Sequence, residues 1–186
     1  MRPQSGLSTR WQRLVVEYDP VAMLRVLSDH EVEFVVIGGV AGRLRGAPIL
    51  TQDLDVTPRA TPANLTKVAA ALAVLGARLR SSQEPDGVAF PHDPELLANA
   101  GSWTLTTRYG DLDLVMNPAG SRGFEDLRVD ADQLTVASDP PLAVLVASLG
   151  DVIRTKQAAG RAKDLAALPL LRQTLDEIER SEVDSV

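Results

Sequence analysis

The sequence predicts an α+β fold, with a mixed sheet flanked by helices and further helices toward the C-terminus. Three observations carry this. Capped helical segments alternate with short apolar strands through the first half of the chain. Two alternating segments, SWTLTTR and DLDLVM, meet at Tyr109-Gly110 as a hairpin. After Ser148 the pattern is helical throughout. At 186 residues the chain has room for one such domain.

Residues 1–18 read as a flexible lead-in. Asp19-Pro20 then supplies an N-cap and a first helical residue, with Val21, Leu24, Val26 and Leu27 as the apolar stripe. The run EFVVI, Glu33 to Ile37, is β-branched and aromatic and predicts a buried strand that stops at Gly38-Gly39. VAGRLRG predicts a short helix broken by Pro48, and Ile49 to Thr57 predicts the next strand. Thr61-Pro62 repeats the cap, and the helix behind it stops near Gly76, a natural C-terminal glycine. Residues 80–92 are polar, with Pro85, Gly87 and Pro91, and read as a loop with a short strand at Val88 to Phe90.

Asp93-Pro94 opens a short helix that ends before Gly101, and the hairpin follows. Within it Trp103 and Tyr109 read as packing residues rather than base-stacking platforms. PAGSRGFEDLRVDA reads as mostly irregular, and Leu134 to Ala137 and Ala143 to Ala147 as two short strands. Ser148 with Asp151 resembles a capping box; its helix ends at Gly160. A last helix spans roughly residues 162–180 and is interrupted at Pro169. The expected organisation is a lead-in at 1–18, a core at 19–147 and a helical segment at 148–186 packed on that core.

Composition narrows the function. Hydrophobic residues are 45% of the chain, enough for a packed core. No apolar run approaches the roughly 20 residues of a membrane span, and MRPQSGLSTRW lacks the apolar centre of a signal peptide. A cytoplasmic protein with no membrane partner is expected. Without cysteine there is no thiolate metal site, and with only His30 and His92 there is little to build a zinc centre or a Ser-His-Asp triad. The net charge of −6 argues against a global nucleic-acid binder. Basic residues do concentrate at Arg43 and Arg45, and again at Arg154, Lys156, Arg161 and Lys163, which would form a local anion site if they converge.

The chemistry concentrates in GGVAGRLRGAPILTQDLDVTP, residues 38–58. Side chains alternate along a strand, so Asp53 and Asp55 share one face and Leu54 and Val56 the other, with the two aspartate Cα atoms about 7 Å apart. Two carboxylates so placed repel unless a cation lies between them, and hard oxygen donors favour Mg²⁺ or Mn²⁺. DLDLVM repeats the pattern, and if that strand lies beside the first, Asp111 or Asp113, preferentially Asp113, brings a third acid. Gly38-Gly39 joins a buried strand to a helix, so backbone N–H groups can face an anion without Cβ atoms in the way. Acids opposite a glycine-lined cradle suit phosphoryl or nucleotidyl transfer.

A strand ending in GG, a spacer, T-x-D-L-D and a further strand acid resemble the nucleotidyltransferase superfamily with the DNA polymerase β-like fold. IGGVAGRLRGAPILTQDLDVTP, GDLDLVMNPAG, FEDL and ASLGDVIRTKQAAGRAKDLAALPLL together are similar to the AbiEii/MenT-type nucleotidyltransferase toxins, over roughly Phe34 to Leu171. The resemblance implies that Gly38 and Gly39 bind nucleotide phosphate, that Asp53 and Asp55 bind metal, and that Asp113 is the third acid and general base. It also implies that Thr51 contributes to activity beside the phosphate, with phosphorylation there silencing the site by its added negative charge. Lys156 matches a lysine that contacts the triphosphate, and Asp164 the acid of a K…R-x-KD element flanked by Arg161 and Lys163. The interval from Lys156 to Asp164 is short for the family, and larger members carry more C-terminal helix.

The function implied is Mg²⁺-dependent transfer of NMP from an NTP to the 3′ end of tRNA, by a toxin paired with an antitoxin protein. The residues 154–163 cations would guide the tRNA, with salt-sensitive binding. A second reading is nucleotidyl transfer to a small hydroxylated molecule, as in the antibiotic-modifying branch of the fold. A third is a non-catalytic binding module, against which three intact acids weigh.

Overall fold

The computed structural model describes residues 18–183. In chain order it contains α1 (Pro20–Asp29), β1 (Phe34–Ile37), α2 (Gly38–Leu44), β2 (Asp53–Pro58), α3 (Pro62–Leu75), β3 (Arg78–Leu79) and α4 (Pro94–Ala98). β4 (Ser102–Thr107), β5 (Gly110–Val115), α5 (Phe124–Leu127), β6 (Asp132–Ser138), β7 (Pro141–Val146), α6 (Leu149–Ala159) and α7 (Ala162–Val183) complete it. Of the expected lead-in, residues 1–17 lie outside the described residues. Its last residue, Tyr18, is half-buried, and its hydroxyl donates to the Asp53 carbonyl at 2.9 Å.

The strands form one mixed sheet in the order β3-β4-β5-β2-β1-β7-β6. β1 is an interior strand, antiparallel to β2 and parallel to β7, and all four of its residues are buried. That is why EFVVI shows no polar alternation: both of its faces are covered. β2 and β5 pair in parallel, Asp53 opposite Asp111 and Asp55 opposite Asp113. Leu54, Val56, Leu112 and Leu114 are each at most 1% exposed, so the opposite face of both strands is core. Met23, Leu24 and Leu27 of α1 and Val68, Leu72 and Leu75 of α3 belong to that same core.

The helix signals act as the sequence predicts. Asp19, Thr61, Asp93 and Ser148 each accept a backbone N–H from the first turn, three of them ahead of a proline. Gly76 and Gly160 stop their helices in the left-handed conformation. The capping box at Ser148 is only half made, because the Asp151 carboxylate turns to Arg154 instead of back to the cap.

Four elements differ from expectation. β2 starts at Asp53 rather than Ile49, since residues 49–52 curl back: Ile49 N–H donates to Ala47 and the Thr51 hydroxyl to the Asp53 carbonyl. Within residues 80–92 only Val88 bridges to Leu79, and the short strand lies earlier, at β3. FEDL forms the single turn α5. Pro169 does not interrupt α7; the helix runs through it. Losing one backbone N–H is tolerated there because Leu168 and Leu171, on either side, are buried against the body.

Candidate active site

The parallel pairing of β2 with β5 builds the site. With Asp55 opposite Asp113 and side chains alternating, Asp53, Asp55 and Asp113 offer carboxylate oxygens that all lie within 4.8 Å of one another. Asp111 is not part of that group. The three acids lie in an open cleft of about 660 Å³. Gly38, Gly39 and Thr51 line it as well, as do Lys156, Arg161, Lys163 and Asp164. Asp53, Asp55, Asp113, Gly38, Gly39, Thr51, Lys156, Arg161 and Asp164, the residues the resemblance points to, therefore line one cavity.

The glycines are there because nothing larger fits. Gly38 has a φ of +64°, and a Cβ on it would run into the Asp55 carboxyl, 2.8 Å from its Cγ. A Cβ on Gly39 would stand 2.6 Å from the Thr51 hydroxyl. The two glycines thus press the start of α2 against an acid and a hydroxyl. The residue before that helix is Ile37, and among the described residues no side chain caps it. Thr51 donates to Asp53 Oδ1 at 2.8 Å and orients that carboxylate.

The opposite wall comes from α6 and α7. Asp164 is fully buried and is held by the Lys156 ammonium at 2.9 Å and by Arg161 Nε at 2.5 Å. Burial pushes its carboxyl up, but the hydrogen bonds from Arg161 and Lys156 outweigh this and hold it below the usual carboxylate range. Lys163 reaches within 3.6 Å of Asp53 while its side chain stays 65% exposed. The tight Gly160 turn makes the short interval between Lys156 and Asp164 sufficient: it folds α7 back so that both residues face one another.

The expected basic stripe divides in two. Lys156, Arg161 and Lys163 reach the cleft, but Arg154 is committed to Asp126, Asp151 and the Gly120 carbonyl. Arg45 likewise serves the fold, clamping Asp132 and the Val146 and Ala147 carbonyls. Trp103 is a packing residue as expected, stacked on Phe90 with centroids 5.4 Å apart and its indole N–H donated to Leu97. Two neighbours of the acids carry no sequence signal. Tyr18 holds the Asp53 main chain through its hydroxyl. Arg80 donates to Asp113 at 2.7 Å and faces Asp111 at 3.2 Å.

The electrostatics suit a cation. Burial, and then the charges of Asp53 and Asp113, push the Asp55 carboxyl up to about 7, against the pull of Lys156 and Lys163. Burial raises Asp113 as well, with Arg80 opposing. Burial, Asp53 and Asp55 raise the Tyr18 phenol, which keeps it a neutral donor. Three mutually repelling, hard oxygen donors without histidine fit Mg²⁺ or Mn²⁺.

A pH dependence follows. The folded chain keeps the Asp55 proton up to about pH 7 whereas an unfolded carboxyl releases it near 3.8, so between these values the native state binds more protons. Stability of the metal-free protein therefore falls as pH rises from about 4 through 7. Thermal unfolding in EDTA should show this decline, and the rise in Tm on adding Mg²⁺ should be larger at pH 8 than at pH 5.5. An equal Mg²⁺ effect at both pH values would contradict it.

No family model matches the chain, and no curated protein matches it. Solved structures do. The lincosamide antibiotic adenylyltransferase LnuA, in its lincomycin-bound form, superimposes with a TM-score of 0.54 at 14% identity, over 83% of this chain and 95% of its own. The fold is that of the nucleotidyltransferases. The antibiotic-resistance factor ANT(2'')-Ia agrees, with a TM-score of 0.54 at 16% identity over 89% of each chain. At such identities the likeness is one of architecture, and the nucleotidyltransferase fold here carries its own acid cluster at the junction of β2 and β5. No helix among the described residues is long and apolar enough to cross a membrane.

Proposed function

We propose that this chain is a metal-dependent nucleotidyltransferase that moves NMP from an NTP to a hydroxyl acceptor, and that the acceptor is the 3′ end of tRNA. The observation that carries the reaction class is the convergence of Asp53, Asp55 and Asp113 within 4.8 Å beside two glycines that admit no side chain. Asp53, Asp55 and Asp113 would hold Mg²⁺. When bound, the ion lowers the pKa of the attacking hydroxyl and neutralises charge on the leaving pyrophosphate.

The chain's own residues supply the rest. Backbone N–H groups at Gly38 and Gly39 receive the phosphates. Lys156 and Arg161, held in place by Asp164, present cations to the triphosphate, and Lys163 adds a third from the cleft rim. Asp113 accepts the proton of the acceptor hydroxyl; burial raises its affinity for protons above that of a free carboxylate, which suits a base. Phosphorylation of Thr51 would silence the enzyme, because its hydroxyl lies where Gly39 and Asp53 crowd it and a dianion there would repel the triphosphate.

The tRNA acceptor, and with it an antitoxin partner, rests on the C-terminal element: Lys156, Arg161 and Asp164, far apart from the acids in sequence, close the same cleft as the AbiEii/MenT resemblance implies. A small hydroxylated acceptor is the second reading, supported by the architecture shared with LnuA and ANT(2'')-Ia and by the overall negative charge, which favours cationic compounds. Each labelled NTP is incubated with Mg²⁺ and either total tRNA or a panel of small hydroxylated compounds, cationic ones and lincosamides included. Label on tRNA is expected. Label confined to a small acceptor moves the protein to the second reading, and label on neither defeats transferase activity.

A further inference from the structure

We propose that Arg80 is a positioning residue for the acid cluster: it ties one oxygen of Asp113 and draws Asp111 aside, so that three carboxylates converge instead of four. This rests on the reading of the cluster as a metal and nucleotide site. The register of β2 and β5 sets Asp53 opposite Asp111 and Asp55 opposite Asp113, and alternation puts all four side chains on one face. Four acids in such a block would repel one another, yet Asp111 stays outside the group of three.

Arg80 accounts for the difference. Its backbone N–H donates to the Thr104 carbonyl at 3.0 Å, which fixes it beside β4. The guanidinium then crosses β4. Nη2 donates both to the Leu105 carbonyl at 3.2 Å and to Asp113 Oδ1 at 2.7 Å, while Nε faces Asp111 Oδ2 at 3.2 Å. A planar fork anchored on main chain at one end and on two carboxylates at the other limits how Asp113 can rotate. It also places a permanent positive charge next to the cation site. The arginine therefore aligns the third acid at a cost in metal affinity, and these two effects have opposite signs.

That opposition supplies the test. Mn²⁺ binding to wild type, Arg80→Ala and Arg80→Lys is measured by calorimetry without nucleotide, alongside steady-state transfer from the NTP. Arg80→Ala is expected to bind Mn²⁺ about three- to tenfold more tightly, since a neighbouring cation is gone. Its kcat should fall about ten- to hundredfold with KM for the NTP within about threefold, the pattern of lost alignment. Lysine, a point charge without a fork, should return the Mn²⁺ affinity to the wild-type level and leave kcat low. Unchanged kcat in Arg80→Ala, weaker Mn²⁺ binding in parallel with lost activity, or full recovery of kcat by lysine would each overturn the proposal. The Mn²⁺ arm needs no turnover, so it still tests Arg80 if wild type labels no acceptor and the transferase reading fails.

Discussion

Asp53→Ala abolishes nucleotide transfer, by at least about a thousandfold, and leaves the fold intact; this is the expected result of removing one arm of the acid cluster. The rate loss follows because the remaining Asp55 and Asp113 can no longer enclose a divalent ion. The fold survives because Asp53 is only partly buried, and the core side chains next to it on β2, Leu54 and Val56, lie on the other face. Asp55→Asn gives the sharper thermodynamic signature. Its carboxyl is pushed up to about 7, so at pH 8 the metal-free protein carries an ionised group that the unfolded chain ionises more easily. The neutral amide should raise metal-free stability by about 1–3 kcal/mol at pH 8 and by little at pH 5, while activity is lost. Chemical denaturation in EDTA at the two pH values measures this. A variant that transfers normally, or one destabilised equally at both pH values, would contradict the assignment.

Gly38→Ala is the second large effect expected, and it works through space rather than charge. The left-handed φ of +64° costs an alanine about 1–2 kcal/mol by itself. The new methyl must also displace the Asp55 carboxyl, whose Cγ would lie 2.8 Å away. Transfer should fall by at least about a hundredfold, with Mn²⁺ binding weakened in step, because the acid that moves is a ligand. Gly46→Ala provides the comparison. Gly46 has a φ of +93° but open space where its Cβ would go, so that variant should carry the backbone strain and bind Mn²⁺ as wild type does. Equal Mn²⁺ affinity in Gly38→Ala and wild type would mean that the glycine serves the chain turn alone.

Much of this was legible in the residues themselves. Asp19, Thr61, Asp93 and Ser148 announce their helices, and Gly76 and Gly160 end theirs, because capping and left-handed stops are satisfied by atoms a few residues away. The pairing of Asp53 with Asp55 on one face follows from strand alternation. The tightness of Gly38-Gly39 was legible as a place without Cβ atoms; that Asp55 and Thr51 are what press against it was not.

Other facts depend on distant partners. Alternation makes Asp111 and Asp113 equivalent, and only the parallel register with β2 together with the Arg80 fork separates them. Of the late cations, Lys156 and Arg161 line the cleft while Arg154 also turns to Asp126. The i,i+3 pairs Arg154–Asp151 and Arg161–Asp164 follow from helix spacing, but which of them fronts the cleft does not. Pro169 breaks a helix by local rules and is overridden by burial on both sides of it. The amino-acid sequence by itself determined the elements, their caps and the acids that share a strand face, since each depends on geometry within one turn or one strand. Only the tertiary structure decided which acids converge and which cations face them, because strand register and the placing of α6 and α7 along the cleft join groups tens of residues apart.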